Sequence, residues 1–247
     1  MAKKYDNIIF GLHPVKEALI EHTDIDKIMV SRDERKAEYV ELRKLAKQNG
    51  IFVQEVPKEK LNRITMKNHQ GIIAFTSPIE FQSIENLLPH IYEEGRVPLF
   101  LALDGVTDVG NFGALSRTAE CAGVDAIIIP QKGGAPINGD AMKTSAGALL
   151  KIPVCKTSSL INTLKFLTDS GVQIVSCSEK GSDTIYDADM TVPTVLVMGG
   201  EDVGISGDIL KISANIAQIP MQGTINSLNV SVAGAIIMFE AVRQRAI

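Results

Sequence analysis

Ile219-Pro220-Met221-Gln222-Gly223-Thr224-Ile225-Asn226-Ser227-Leu228-Asn229-Val230-Ser231-Val232 reads as the end of a short strand, a polar glycine-containing loop, and a helix opening on Ser227 and Asn229. The helix continues through Ala233-Gly234-Ala235-Ile236-Ile237-Met238-Phe239, apolar on nearly every side. A surface helix carries one apolar stripe, so this one is expected to be buried against the core or against a second subunit. Polar side chains at its mouth are costly unless they are hydrogen-bonded or serve a ligand. Capping of orphan N–H groups by Asn226, Ser227 or Asn229 is one reading. A ligand site is the other, and this segment alone leaves both open.

Working outward, the same strand-to-helix rhythm recurs. Candidate strands at 99–103, 126–129, 172–177, 194–198 and 217–219 alternate with helical stretches at 114–122, 140–150, 159–169 and 207–213. Short apolar strands alternating with helices predict a parallel sheet covered on both faces. Ligands of such sheets bind in the loops beyond the carboxyl ends of the strands. Two further loops therefore join the first. Asp104-Gly105-Val106-Thr107-Asp108-Val109-Gly110-Asn111-Phe112-Gly113 exposes backbone and opens a helix, as anion sites do. Arg117 follows four positions later, where a cation opposes the helix dipole if the helix starts near 114. Gly199-Gly200-Glu201-Asp202-Val203-Gly204-Ile205-Ser206 follows the strand at 194–198, with a carboxylate at the strand end and two glycines that admit a ligand to the backbone. Lys143-Thr144-Ser145-Ala146-Gly147-Ala148 is rich in small residues, which fits close helix packing better than ligand contact.

The first 80 residues differ. Candidate strands at 8–10, 27–30, 51–56 and 71–75 and helices at 14–20 and 37–48 make a small α/β module. It carries 14 basic and 12 acidic side chains, whereas residues 81–247 carry 11 and 17. Ser77-Pro78 closes the module, and a polar stretch with a modest helical run (Ile84, Leu87, Leu88, Ile91, Tyr92) leads to Val97-Pro98. The expected division is a domain at 1–78, a linker at 79–97 and a second domain at 98–247.

Composition bounds the rest. The chain has 247 residues, 45% of them hydrophobic, enough for a substantial core. No apolar run approaches the roughly 20 residues needed to span a bilayer, and the segment 1–7 lacks the apolar core of a signal peptide. A cytoplasmic protein without a membrane partner is expected. The net charge of −4 does not favour polyanion binding overall, so any nucleic-acid contact falls to local basic positions, foremost in the first 80 residues. Cys121, Cys155 and Cys177 each lie in or beside an apolar stretch and read as buried, reduced thiols. His13, His22, His69 and His90 show no metal-ligand spacing, so no metal is expected. Phosphate-loop, dinucleotide and nucleophile-elbow motifs are missing, which leaves an α/β nucleotide hydrolase without support.

Taken together, the three loops resemble the signatures of the SpoU-type RNA ribose 2′-O-methyltransferases of the SPOUT class. N-x-G-x-x-x-R is carried by Asn111, Gly113 and Arg117, and G-x-E-x-x-G-I by Gly199, Glu201, Gly204 and Ile205. I-P-M-x-G-x-x-x-S-L-N-V-S-V is the segment at 219–232. Val109 and Phe112 stand where the family usually has Pro and Leu. Gly11-Leu12-His13-Pro14-Val15-Lys16-Glu17-Ala18-Leu19 and His69-Gln70-Gly71-Ile72-Ile73-Ala74 resemble the L30e-like substrate-binding domain of the subgroup that modifies a guanosine ribose in large-subunit (23S-type) ribosomal RNA.

The resemblance implies a carboxyl-terminal SPOUT domain with a parallel sheet and a trefoil knot, which nothing in the residue pattern would suggest. It also implies a homodimer, S-adenosylmethionine as methyl donor, and RNA rather than DNA as partner. Met198, Gly199, Ile219, Met221, Ser227 and Leu228 would bind the cofactor by position. Arg117, Asn111, Glu201 and Asn229 would form the catalytic set. An arginine stays protonated, so Arg117 is expected to fix an RNA phosphate and stabilise charge on the 2′-oxygen. Asn111 would orient the ribose, Glu201 would orient Arg117 or the RNA, and Asn229 would anchor the third loop or touch the cofactor. A transfer-RNA target and a catalytically silent RNA-binding homologue are the competing readings.

Overall fold

The computed structural model describes residues 7–21, 23–224 and 227–246, so the capping expected of Asn226 lies outside the described residues. The chain forms two compact units, residues 1–80 and 81–247.

The first unit contains β1 (Ile8–Phe10), α1 (Leu12–Ile20), β2 (Ile25–Ser31), α2 (Ala37–Gln48), β3 (Phe52–Val56), α3 (Lys58–Ile64) and β4 (Ile72–Thr76). Its sheet runs β1-β4-β2-β3, with β2 and β3 parallel and the other pairs antiparallel. One core gathers Val15, Leu19, Ile28, Val30, Leu42, Ile72 and Ala74 beneath α1 and α2. A smaller one holds Met29, Val56, Leu61 and Ile73 beneath α3. The sequence reading missed α3, which presents only Leu61 as a buried residue.

The second unit adds β5 (Phe81–Gln82), α4 (Ile84–Glu93), β6 (Leu99–Asp104), α5 (Val109–Cys121), β7 (Ala126–Pro130), α6 (Gly139–Thr144), a 3₁₀ turn (Ala148–Leu150) and β8 (Val154–Thr157). There follow α7 (Leu160–Asp169), β9 (Gln173–Cys177), β10 (Asp183–Thr184), β11 (Thr194–Gly199), α8 (Gly207–Ile212), β12 (Asn215–Gln218) and α9 (Val230–Arg245). The eight strands form one all-parallel sheet in the order β10-β12-β9-β11-β6-β7-β8-β5. Alternate strand residues (Phe100, Ala102, Ile128, Ile174, Val195, Val197) bury one face under α4, α7 and α8. On the other face, α9 packs against β11 and α5.

Three differences from the sequence reading have physical causes. The segment 79–97 is not a linker over its length, because Ile84, Leu88 and Ile91 of α4 enter the core of the second unit. Helix α5 starts at Val109 rather than 114. Asp108 caps it by accepting the Asn111 N–H at 2.8 Å, and Gly110 and Gly113 lie inside it. Glycine in a helix costs up to about 1 kcal/mol against alanine. Here it is required, since a Cβ on Gly113 would lie 1.9 Å from Thr144 Oγ1. That contact agrees with the close-packing reading of 143–148. The helix expected at 140–150 stops at Thr144, where Ala146 and Gly147 turn left-handed (φ 50° and 83°).

Candidate active site

The strand order reverses beside β6: β7 and β8 lie to one side, β11, β9 and β12 to the other. At this switch point β6 and β11 run in register to Asp104 and Gly199, so their exit loops leave side by side. Two bonds join these loops. Gly200 N donates to the Asp104 carbonyl at 2.8 Å, and Ser206 N to Asp104 Oδ2 at 2.7 Å. The second loop folds back on itself through Gly204 N to the Gly200 carbonyl at 2.8 Å. Its glycines follow from this crowding. A Cβ on Gly199 would lie 2.2 Å from the Gly204 carbonyl carbon, and one on Gly200 would lie 2.3 Å from the Gly105 oxygen.

The third loop reaches the same place. Asn229 is the N-cap of α9 and its Oδ1 accepts the Ser231 N–H at 3.0 Å. The helix therefore begins at Val230, with Ser227 outside it. The Asn229 amide faces the other way, and Nδ2 donates to Glu201 Oε1 at 2.7 Å and to Asn111 Oδ1 at 2.9 Å. Asn111 Nδ2 donates to the same Glu201 oxygen at 3.1 Å. The capping and ligand-site readings of Asn229 are thus compatible, because its oxygen caps while its nitrogen ties three loops together.

Behind this knot of side chains lies a cleft of about 570 Å³. Met198, Gly199, Ile219, Met221, Ser227 and Leu228 all line it, as do Glu201 and Asn229. Backbone-exposing glycines and apolar side chains suit a ligand with a flat apolar portion and hydrogen-bonding edges. A fourth wall went unnoticed in the sequence: Cys177, Ser178, Glu179 and Lys180, at the exit of β9. The strand-end rule that selected the other loops would have selected this one too. Burial, with Glu179 nearby, pushes the Cys177 thiol up to about 11.

Arg117 and Asn111 are not among the cleft-lining residues. Arg117 is exposed on α5 and has no hydrogen-bond or ion-pair partner among the described residues. It is the ninth residue of the helix, beyond the first turn where the dipole would disfavour it. The expected orientation of Arg117 by Glu201 is not formed, since that carboxylate is held by the two asparagines instead. Among the described residues no cluster of side chains has the makings of a metal site, and no helix is long and apolar enough to cross a membrane.

Residues 98–239 match the SpoU rRNA methylase family, and residues 8–82 match the RNA 2′-O ribose methyltransferase substrate-binding family. The chain belongs to the SpoU methylase family. A relative from Staphylococcus saprophyticus, assigned to the TrmH family of tRNA/rRNA methyltransferases, is 35% identical over 238 residues and covers 96% of each chain. Among solved structures, an AdoMet-bound rRNA methyltransferase from Sinorhizobium meliloti is 26% identical with a TM-score of 0.61. It covers 96% of this chain and 87% of its own. The A. aeolicus TrmH/SpoU tRNA modifying enzyme is 34% identical with a TM-score of 0.57, covering 66% of this chain and 84% of its own. The protein is accordingly an RNA methyltransferase of the SpoU/TrmH type, and the resemblance read from the three loops holds.

Proposed function

We propose that this enzyme transfers a methyl group from S-adenosylmethionine to the ribose 2′-OH of a guanosine in large-subunit, 23S-type ribosomal RNA. The observation that carries the reading is the convergence of Asn111, Glu201 and Asn229 beside a cleft lined by the residues assigned to the cofactor. Met198, Ile219, Met221 and Leu228 would hold the cofactor's apolar surfaces, and the backbone at Gly199 its polar edges. When bound, the cofactor supplies an electrophilic methyl on sulfur. Asn111 orients the ribose from the mouth of the cleft. Arg117, exposed and uncommitted, fixes an RNA phosphate and stabilises charge developing on the 2′-oxygen. The 2′-OH is also the group that separates RNA from DNA.

A ribosomal target is favoured over transfer RNA by the substrate-binding unit at residues 8–82 and by a likeness to the rRNA enzyme that runs along the whole chain. Transfer RNA is kept as the second reading because the tRNA modifying enzyme is similar over 66% of the chain. The proposal includes a homodimer. Val232 and Phe239, seven residues apart on α9, are 48% and 49% exposed, an apolar strip on a helix that buries Gly234, Ile237 and Met238 elsewhere on its surface. It also includes the trefoil knot and a cytoplasmic location, where ribosomal RNA is found. Mapping 2′-O-methyl sites in total RNA with and without the protein tests the target. Loss of one site in the large ribosomal RNA is expected; loss of a transfer-RNA site would redirect the assignment, and no lost site would leave the silent-homologue reading.

A further inference from the structure

We infer that Glu201 is the group that accepts the proton from the attacking hydroxyl; the inference rests on the methyl-transfer reading above. Methyl transfer to a ribose oxygen needs a proton acceptor at the site. The side chains available there are few. Arg117 has no lone pair to offer and stays charged. The amides of Asn111 and Asn229 are not bases. Among the titratable residues that line the cleft, Lys180 is a cation and Cys177 is a thiol held protonated by its surroundings. Glu179 and Asp202 are carboxylates, but neither is hydrogen-bonded to α5 or to the third loop among the described residues.

Glu201 differs in how it is held. Oε1 accepts from Asn229 Nδ2 at 2.7 Å and from Asn111 Nδ2 at 3.1 Å, while Oε2 has no partner among the described residues. Two amide donors on one oxygen fix the carboxylate plane and leave the other oxygen free to accept. One donor comes from α5, the helix that carries Arg117, and the other from the loop that lines the cleft. The carboxylate is therefore tethered both to the helix that carries Arg117 and to the loop that lines the cleft, with Oε2 the oxygen left to accept. In the step, the O2′–H proton passes to Glu201 Oε2 as O2′ bonds to the methyl carbon. The electron pair of the breaking S–C bond stays on sulfur, which becomes a neutral thioether, and the proton is later lost to water. Arg117 then stabilises the oxygen and takes no proton, which removes the need for a deprotonated guanidinium.

Glu201→Gln separates this role from a positioning one. Its carbonyl oxygen still accepts from both asparagines, so the network survives and only the basic oxygen is lost. Three readouts are needed on the full-length enzyme: single-turnover methylation of ribosomal RNA across pH, RNA affinity, and the thermal shift given by S-adenosylmethionine. A fall in rate of at least about 100-fold is expected, within the range for general-base loss. RNA affinity and thermal shift should stay within about twofold, and the acid limb of the rate–pH profile should disappear. A variant within about threefold of wild type overturns the inference, as does a slow variant that has also lost the thermal shift or the RNA affinity. If the wild-type enzyme methylates no RNA although it shows the thermal shift, the methyl-transfer reading itself fails and the inference falls with it.

Discussion

Asn229 Nδ2 donates to Glu201 Oε1 at 2.7 Å while Asn229 Oδ1 caps α9 through the Ser231 N–H at 3.0 Å. One side chain thus serves the fold with its oxygen and the site with its nitrogen. Asn229→Asp divides the two roles. Aspartate caps as well as asparagine, but it loses the donor and sets a second carboxylate beside Glu201. The unfolding midpoint should stay within about 3 °C of wild type, by the modest cost of a retained cap. Methylation should drop by about 100-fold or more, the scale of a misplaced catalytic group. A variant that melts normally and methylates normally would reduce Asn229 to a cap.

Gly113 lies where α5 and α6 come closest. A Cβ there would be 1.9 Å from Thr144 Oγ1 and 2.9 Å from the Ser145 backbone N. Rotating the threonine relieves the first clash, but the backbone atom cannot move alone. Gly113→Ala should therefore destabilise by about 1–3 kcal/mol, the usual cost of overpacking, despite alanine's better helix propensity. Calorimetry showing an equal or higher midpoint would mean that α6 shifts freely away from α5.

These two residues also mark what the sequence discloses. Asn229, Glu201 and Asn111 are legible as motif residues, and the strand-end rule places their loops on one rim. Their mutual hydrogen bonds span 28, 90 and 118 residues of chain and exist only once β6, β11 and β12 are assembled. The start of α5 was misread because three glycines resemble a loop, whereas Asp108 caps and Thr144 explains Gly113. Strands β5, β8 and β10 escaped notice because two to four residues carry little periodicity, and pairing with neighbours decides them. The wall at 177–180 is different: β9 is legible in the sequence, and the strand-end rule extends to its exit as it does to the other three loops.

The first unit should lose stability as pH falls, through His69. This buried imidazole accepts the Gly71 N–H on Nδ1 at 3.0 Å and bonds Asn62 Oδ1 through Nε2 at 2.8 Å, which assigns the proton to Nε2. Burial, with Lys58 nearby, holds its pKa below the ordinary 6.5. The unfolded chain then binds the proton more readily than the native one. Stability from the neutral ring is complete above about pH 6.5 and declines below it, by at most about 1.4 kcal/mol per pH unit. Denaturant melts followed on the first unit should show this slope as the pH is lowered through about 6.5, and His69→Gln should flatten it while lowering stability at pH 7.5. A slope that persists in the variant would assign it to other groups.

The exposed strip on α9 predicts the assembly state. Phe239 stands 49% exposed at one end of the strip, a turn on from half-buried Ile236. Phe239→Asp places a charge on the strip and leaves unchanged the residues α9 buries, Val230, Gly234, Ile237, Met238, Glu240 and Ala241. Sedimentation of the wild type at micromolar concentration should give a dimer mass, and the variant a monomer mass with unchanged far-UV circular dichroism. A monomeric wild type would remove the dimer from the functional proposal.

The three thiols should report on the cleft. Contrary to the expected burial of all three, Cys121 is exposed at the end of α5; Cys155 is buried with its thiol pushed up to about 12, and Cys177 lines the cleft with its thiol pushed up to about 11. Only thiolates react with a disulfide reagent. At pH 8 one thiol, Cys121, should react rapidly in the native protein. Cys177 should react about 200-fold more slowly than an ordinary thiol of pKa near 8.5, because its thiolate fraction is that much smaller. Its rate should rise about tenfold per pH unit from pH 8 to 10, and Cys155 should react only on unfolding. Saturating S-adenosylhomocysteine should slow Cys177 further while leaving Cys121 unchanged, since only the former faces the space assigned to the cofactor. Equal reactivity of Cys177 with and without that ligand would show that the wall at 177–180 does not meet it.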